Sequence, residues 1–183
     1  MIRQIPVQTF FYITRVDEHE IVKPKILDAI SLLGVNRGPA TEYNSHISNT
    51  DWHLPFDTER KYFDIVNPLF ANHFNEIKTN YGWWYHQRLE NYWFQQYESG
   101  DWHGMHIHSN CLFSSVYYVE LPEGSSKTTF RTPQHNFEID INEGEILTFP
   151  AIFFHESREN KSEKRKTVIA ANFNAKSWDE NYT

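Results

Sequence analysis

Positions 111–121 read Cys-Leu-Phe-Ser-Ser-Val-Tyr-Tyr-Val-Glu-Leu, a run of β-branched and aromatic residues that predicts a strand. Further runs of this kind flank it, separated by clusters of Gly, Pro, Asn or Ser. They lie at positions 83–97, 128–131, 137–141, 145–149 and 167–173. Many short strands at such spacing predict a β-sandwich or a barrel.

The residues before this β-rich part follow a different pattern. Residues 2–14 predict a first strand, whereas apolar residues recur at helical spacing over residues 24–33 and 57–79. Pro68 lies inside the second helical stretch and predicts a kink or a break there. Two helices followed by an all-β half indicate the α+β class, with the helices on one side of an antiparallel sheet.

The composition restricts the classes of function. The chain has 183 residues, enough for one domain with its own core, and a net charge of -7. Nucleic acid is not an expected partner, because neutralising phosphates requires clustered cations. The single cysteine, Cys111, excludes an intramolecular disulfide and a cysteine-based zinc site. We find no signal-peptide core and no membrane-spanning stretch, so we expect a cytoplasmic protein without a membrane partner.

Three of the ten histidines fall within the segment Gly100-Asp-Trp-His-Gly-Met-His-Ile-His108. On a strand, residues two apart point to the same face, so His106 and His108 would project together. Two imidazoles on one face could share a metal ion such as iron, zinc, copper or nickel, or they could form a polar cluster without metal. We expect His103 to lie in the preceding loop or behind the pair.

A second segment, from Gly144 to His155, ends a mainly apolar and aromatic run with a histidine. A buried histidine needs a partner for each ring nitrogen, and a metal ion or a backbone carbonyl would serve. Arg165 and Lys166 follow, directly before the apolar run 167–173. A cation entering such a run would be neutralised by a bound carboxylate, whereas a cation in a solvated loop would need no partner.

Together, the His-x-His pair, a distant histidine after Gly-x-x-x-x-Phe-Pro, and a cation about ten residues later resemble the iron(II)/2-oxoglutarate-dependent oxygenases. The resemblance is to the prolyl-hydroxylase-like branch and its bacterial and phage members. In that branch a strand reading Ser-x-Val-Tyr-Tyr-hydrophobic follows the pair, as residues 114–119 do here. The similarity runs from about Trp93 to Phe173, with a further likeness at residues 48–52.

The resemblance implies one domain over residues 1–183 with a double-stranded β-helix, the jelly-roll fold of cupins. Its helical part would cover about 15–80 and its jelly-roll core about 81–175. The implied activity is that of a dioxygenase that uses Fe(II), 2-oxoglutarate and O2. It would hydroxylate an unidentified small molecule or protein side chain and release succinate and CO2.

The resemblance also implies roles for individual residues. His106, His108 and His155 would be the metal ligands and catalytic centre. Lys166 would anchor 2-oxoglutarate, with Arg165 as the alternative, since strand alternation lets only one of the two face the cavity. Tyr118 and Tyr97 would donate hydroxyl hydrogen bonds to 2-oxoglutarate or simply pack in the core.

One departure from the family pattern concerns the second metal ligand. The usual pair is His-x-Asp or His-x-Glu, part of a 2-His-1-carboxylate triad, but this chain has His108. A neutral imidazole makes the site one charge more positive, which should favour dianionic 2-oxoglutarate. Asp101 is an alternative carboxylate ligand from the preceding loop.

Two other functions fit the same residues. The first is a cupin-like protein with three histidines that binds a metal without 2-oxoglutarate. The second is a non-enzymatic jelly-roll binding module whose histidines are structural. Metal-dependent stabilisation and a further response to 2-oxoglutarate would distinguish the three, because a ligand that binds only the folded state stabilises it.

Overall fold

A computed structural model describes residues 9–35, 44–55, 57–82 and 86–175. Parts of two predicted strands, residues 2–8 and 83–85, lie outside the described residues. The described chain forms two helices and ten strands, and every strand pairing is antiparallel. The strands are β1 Tyr12–Arg15, β2 Asn49–Thr50, β3 Gln87–Tyr97, β4 His103–His106, β5 Phe113–Glu120, β6 Thr128–Arg131, β7 Asn136–Glu138, β8 Glu145–Pro150, β9 Phe154–Ser157 and β10 Lys166–Ala175.

The strands form two sheets that enclose the candidate site. The larger sheet has the order β1-β8-β5-β10-β3-β2, and the smaller one has the order β4-β9-β6-β7. An apolar cluster joins the facing sides, with Phe149 and Val168 from the larger sheet and Phe130 from the smaller one. This arrangement confirms the predicted jelly-roll class.

Two helices cover the other face of the larger sheet: α1 His19–Ser31 and α2 Lys61–Tyr81. Their apolar stripes pack on β3, β5, β8 and β10 in a second cluster. The members contributed by α2 are Tyr62, Phe63, Val66, Leu69, Phe70, Phe74 and Ile77. A stripe of this size explains why so many aromatic residues are buried.

The helices differ in detail from the sequence prediction. α1 begins at His19, five residues before Pro24, which lies inside it. α2 begins only after Arg60 and continues through Pro68 without a break. A proline within a helix removes one backbone hydrogen bond, and here the buried stripe on both sides of Pro68 holds the helix together. Neither helix has the length and apolarity needed to cross a membrane.

Candidate metal centre

The structure brings together three imidazoles that are far apart in the sequence. His106 ends β4, His108 follows it by two residues, and His155 lies on the neighbouring strand β9, directly opposite His106. One ring nitrogen from each histidine lies within 4.8 Å of the other two. The ring centroids are 4.2 Å apart for His106 and His155, and 5.1 and 5.2 Å for the two pairs with His108.

Local backbone contacts orient two of the rings. His106 Nδ1 lies 2.7 Å from the Gly104 carbonyl oxygen, and His155 Nδ1 lies 2.8 Å from that of Phe153. Because a carbonyl only accepts, both Nδ1 atoms carry the proton and both Nε2 atoms keep a lone pair. A second hydrogen bond that fixes the ring and its tautomer is typical of metal-binding histidines.

The third ring has a side-chain neighbour. Asn172 Nδ2 lies 3.5 Å from His108 Nδ1, and Asn172 Oδ1 accepts a hydrogen bond from Ser114. The His108 backbone N–H donates to the Ala151 carbonyl, 3.1 Å away. That bond fixes His108 to the connection between β8 and β9 although β4 has already ended.

Burial keeps these imidazoles neutral. It lowers the pKa of His106, lowers that of His108 to about 4, and lowers that of His155 well below its usual value. The neighbouring imidazoles lower the pKa values of His108 and His155 further. Neutral imidazole is the form that binds a metal, so the site is ready to do so at neutral pH.

A fourth histidine lies against this cluster. The His103 ring stacks on that of His106, with centroids 4.1 Å apart and an angle of 26° between the planes. Its Nδ1 lies 3.1 Å from Gln95 Nε2. Burial and the three neighbouring imidazoles lower the pKa of His103 to about 2.

The same pocket contains a buried cation, Lys166. Its ammonium donates to the Ser126 carbonyl and to Ser157 Oγ, each 2.8 Å away, and lies 4.8 Å from the centre of the Tyr97 ring. Within the described part of the chain no carboxylate lies within 4.0 Å of it. Desolvation lowers the pKa of Lys166 to about 7. Such a buried cation is costly unless an anion binds beside it.

The other residues suggested for 2-oxoglutarate take different positions. Arg165 lies outside the pocket, where its guanidinium binds the Glu120 carboxylate at 2.9 and 3.2 Å. Tyr97 lines the pocket and donates its hydroxyl hydrogen to Gln95 Oε1 at 2.8 Å. The Tyr118 hydroxyl is buried 2.6 Å from that of Thr128, so it reaches the pocket only through Thr128.

Asp101 is not one of the converging groups. Its carboxylate accepts backbone hydrogen bonds from Ser48 and Glu98 at 2.9 Å each and lies 2.5 Å from His46 Nδ1. The alternative of an Asp101 ligand is therefore wrong in this structure, because these contacts hold the loop before β4 and occupy both carboxylate oxygens.

The donor set fits a divalent transition metal. Three neutral nitrogens converge, and imidazole suits iron as well as zinc, copper and nickel. Sequence reasoning missed Gln95, Ser157 and Thr128, which line the same pocket. Gln95 could have been found, because it lies two residues before Tyr97 and so on the same face of its strand.

Several known proteins are similar to this chain in sequence or in fold. The family described as "Putative 2OG-Fe(II) oxygenase" matches residues 91–172. A search of curated proteins found no match. The structure of a prolyl-4-hydroxylase from Pseudomonas putida is similar, with a TM-score of 0.64 and 12% identity over 92% of this chain and 94% of that chain.

Two further structures show the same fold. A viral collagen prolyl hydroxylase from Paramecium bursaria Chlorella virus-1, solved with 2OG, has a TM-score of 0.58 and 16% identity over 88% of this chain and 95% of that one. A Trichoplax adhaerens prolyl hydroxylase, solved with a peptide fragment of hypoxia inducible factor, has a TM-score of 0.64 and 14% identity over 89% of this chain and 82% of that chain.

Proposed function

We propose that this chain is an iron(II)/2-oxoglutarate-dependent oxygenase of the prolyl-hydroxylase-like branch, a proposal supported by the family match over residues 91–172 and by the shared fold. His106, His108 and His155 hold the iron, and Lys166 anchors 2-oxoglutarate. The enzyme hydroxylates an unidentified substrate and releases succinate and CO2.

One observation carries these assignments: three neutral imidazoles and one buried cation line a single pocket between the two sheets. The imidazoles offer ligands to a metal ion, and the cation lacks an anionic partner within the described residues. A molecule with a chelating end and a distant carboxylate satisfies both. 2-Oxoglutarate is such a molecule.

The bound iron, 2-oxoglutarate and O2 together supply the oxidation, in which one oxygen atom enters the substrate and the other enters succinate. The chain's own residues bind and orient. The Gly104 and Phe153 carbonyls fix the tautomers of His106 and His155, so that both present Nε2. The Ser126 carbonyl and the Ser157 hydroxyl hold the Lys166 ammonium in place.

The all-histidine site changes the charge balance in the pocket. Three neutral ligands leave both positive charges of an iron(II) ion uncompensated, whereas a carboxylate ligand would cancel one of them. Dianionic 2-oxoglutarate balances these charges, and Lys166 adds another cation. We therefore expect 2-oxoglutarate binding to depend strongly on the metal.

Turnover without substrate tests the proposal. We expect the purified protein with Fe(II), 2-oxoglutarate and O2 to form succinate, and the His155→Ala variant to form none above background. Metal-dependent stabilisation without any response to 2-oxoglutarate would instead support the cupin-like metalloprotein. Stabilisation by neither would support the binding module.

Two further expectations concern the setting of the reaction. The net charge of -7 favours a substrate other than nucleic acid. The cytoplasm stays the predicted location. The substrate stays unidentified, and either a small molecule or a protein side chain fits this chemistry.

A further inference from the structure

We propose that His103 is a binding residue for 2-oxoglutarate, to which it donates a hydrogen bond from Nε2, and that Gln95 fixes it in that role. The inference rests on the proposed function, since it concerns the same pocket. It assigns a task to the one pocket histidine that lies outside the group of converging ligand atoms.

The stacking geometry argues against His103 as a ligand of the same ion. A metal bound to an imidazole nitrogen lies close to the plane of that ring. The planes of His103 and His106 are only 26° from parallel, with their centres 4.1 Å apart. An ion held in the plane of His106 would therefore lie outside the plane of His103, and His103 is not among the three residues whose ligand atoms converge.

A chain of hydrogen bonds decides which nitrogen of His103 carries the proton. The Tyr97 hydroxyl donates to Gln95 Oε1 at 2.8 Å, which turns the Gln95 amide group –NH2 toward His103. Gln95 Nε2 then lies 3.1 Å from His103 Nδ1. Because Nδ1 accepts this bond, the proton of the neutral ring is on Nε2.

His103 is connected both to the converging histidines and to the region around Lys166. Its ring lies against the ligand candidate His106, while Gln95 connects it to Tyr97, whose ring faces the Lys166 ammonium. An anion that extends from the metal to Lys166 loses its contacts with water along its whole length. Its oxygens need donors in exchange, and His103 lines the pocket beside His106 with its proton on Nε2.

The experiment compares two affinities in the same protein. Calorimetry measures the binding of Mn(II) alone and then of 2-oxoglutarate to the Mn(II)-loaded protein, for the wild type and His103→Phe. Phenylalanine keeps a ring on His106 but has no N–H. We expect 2-oxoglutarate to bind about tenfold to 100-fold more weakly, with Mn(II) affinity within about threefold of the wild type.

Two other variants complete the design. His103→Gln keeps an N–H donor and should retain most of the 2-oxoglutarate affinity. It also serves as the test if His103→Phe does not fold. His135→Phe changes an exposed histidine outside the pocket and should alter neither affinity.

Three results would overturn the inference. The first is unchanged 2-oxoglutarate affinity in His103→Phe. The second is an equal loss of Mn(II) affinity, which would make His103 a ligand or a support of His106. The third is an equal loss in the Phe and Gln variants. If wild-type protein loaded with Mn(II) does not bind 2-oxoglutarate at all, the proposed function itself fails.

Discussion

Replacing Lys166 by methionine should make the protein more stable and less able to bind 2-oxoglutarate. Lys166 is 2 % exposed, and its ammonium contacts only a carbonyl, a hydroxyl and an aromatic face among the described residues. Methionine has a similar length and no charge. The substitution therefore removes the cost of burying the cation along with its attraction for an anion.

The lowered pKa gives the size of the effect. A fall from 10.5 to about 7 means that, at pH 7, burying the amine costs about 4 kcal/mol. Removing the amine leaves two acceptors without their donor, at about 1 kcal/mol each. The free energy of unfolding should therefore rise by about 2 kcal/mol, which for this chain length raises Tm by about 4–8 °C.

The pH dependence has a definite sign. Between pH 7 and 10.5 the folded protein binds fewer protons at Lys166 than the unfolded chain does. The free energy of unfolding should therefore rise with pH across this window in the metal-free wild type. The rise should be smaller in Lys166→Met.

Denaturant unfolding and calorimetry measure the two halves of this prediction. We expect the affinity of the metal-loaded protein for 2-oxoglutarate to fall about 100-fold or more, since one carboxylate loses its buried partner. Lys127→Met is the matched control, because Lys127 pairs with the exposed Asp140. A Lys166→Met protein that is less stable than the wild type and binds 2-oxoglutarate equally well would refute the reasoning.

Three further predictions concern the metal, the pH and the backbone. His155→Ala should abolish the rise in Tm that Fe(II) or Mn(II) causes, since one of three converging nitrogens is lost; an unchanged rise would exclude it as a ligand. Desolvation lowers the pKa of His73 to about 3, so the free energy of unfolding should fall as the pH drops from 6.5 toward 3. In His73→Gln that fall, measured by urea unfolding, should be shallower, and an identical slope would contradict the assignment. Both Gly144 and Gly124 have positive φ, so an alanine at either position is strained. Gly144→Ala should nevertheless cost more stability than Gly124→Ala, because the new Cβ at position 144 would lie 2.9 Å from the His19 ring. Equal losses in thermal unfolding would count against that contact.

The sequence was sufficient to predict the fold class because strand-forming runs and turn residues follow each other closely. The run 128–131 coincides with β6, and the run 145–149 falls within β8. Helix ends were harder to predict. α1 begins five residues before Pro24, where periodicity alone placed its start.

The choice between Arg165 and Lys166 shows where a count along the sequence fails. Alternation indicates that only one of two successive residues faces the cavity, but not which one. The pairing of β10 with β3 places Lys166 opposite Tyr97, and Arg165 precedes the strand, where Glu120 holds it. This register depends on two strands about 70 residues apart, which no local pattern specifies.

The binding of 2-oxoglutarate to metal-loaded and metal-free protein tests the account most directly. Titration by calorimetry in the absence of O2 should show one 2-oxoglutarate per chain when Fe(II) is present and at least 100-fold weaker binding without it. Equal affinity in the two states would contradict the claim that the three imidazoles and Lys166 bind one metal and its co-substrate together.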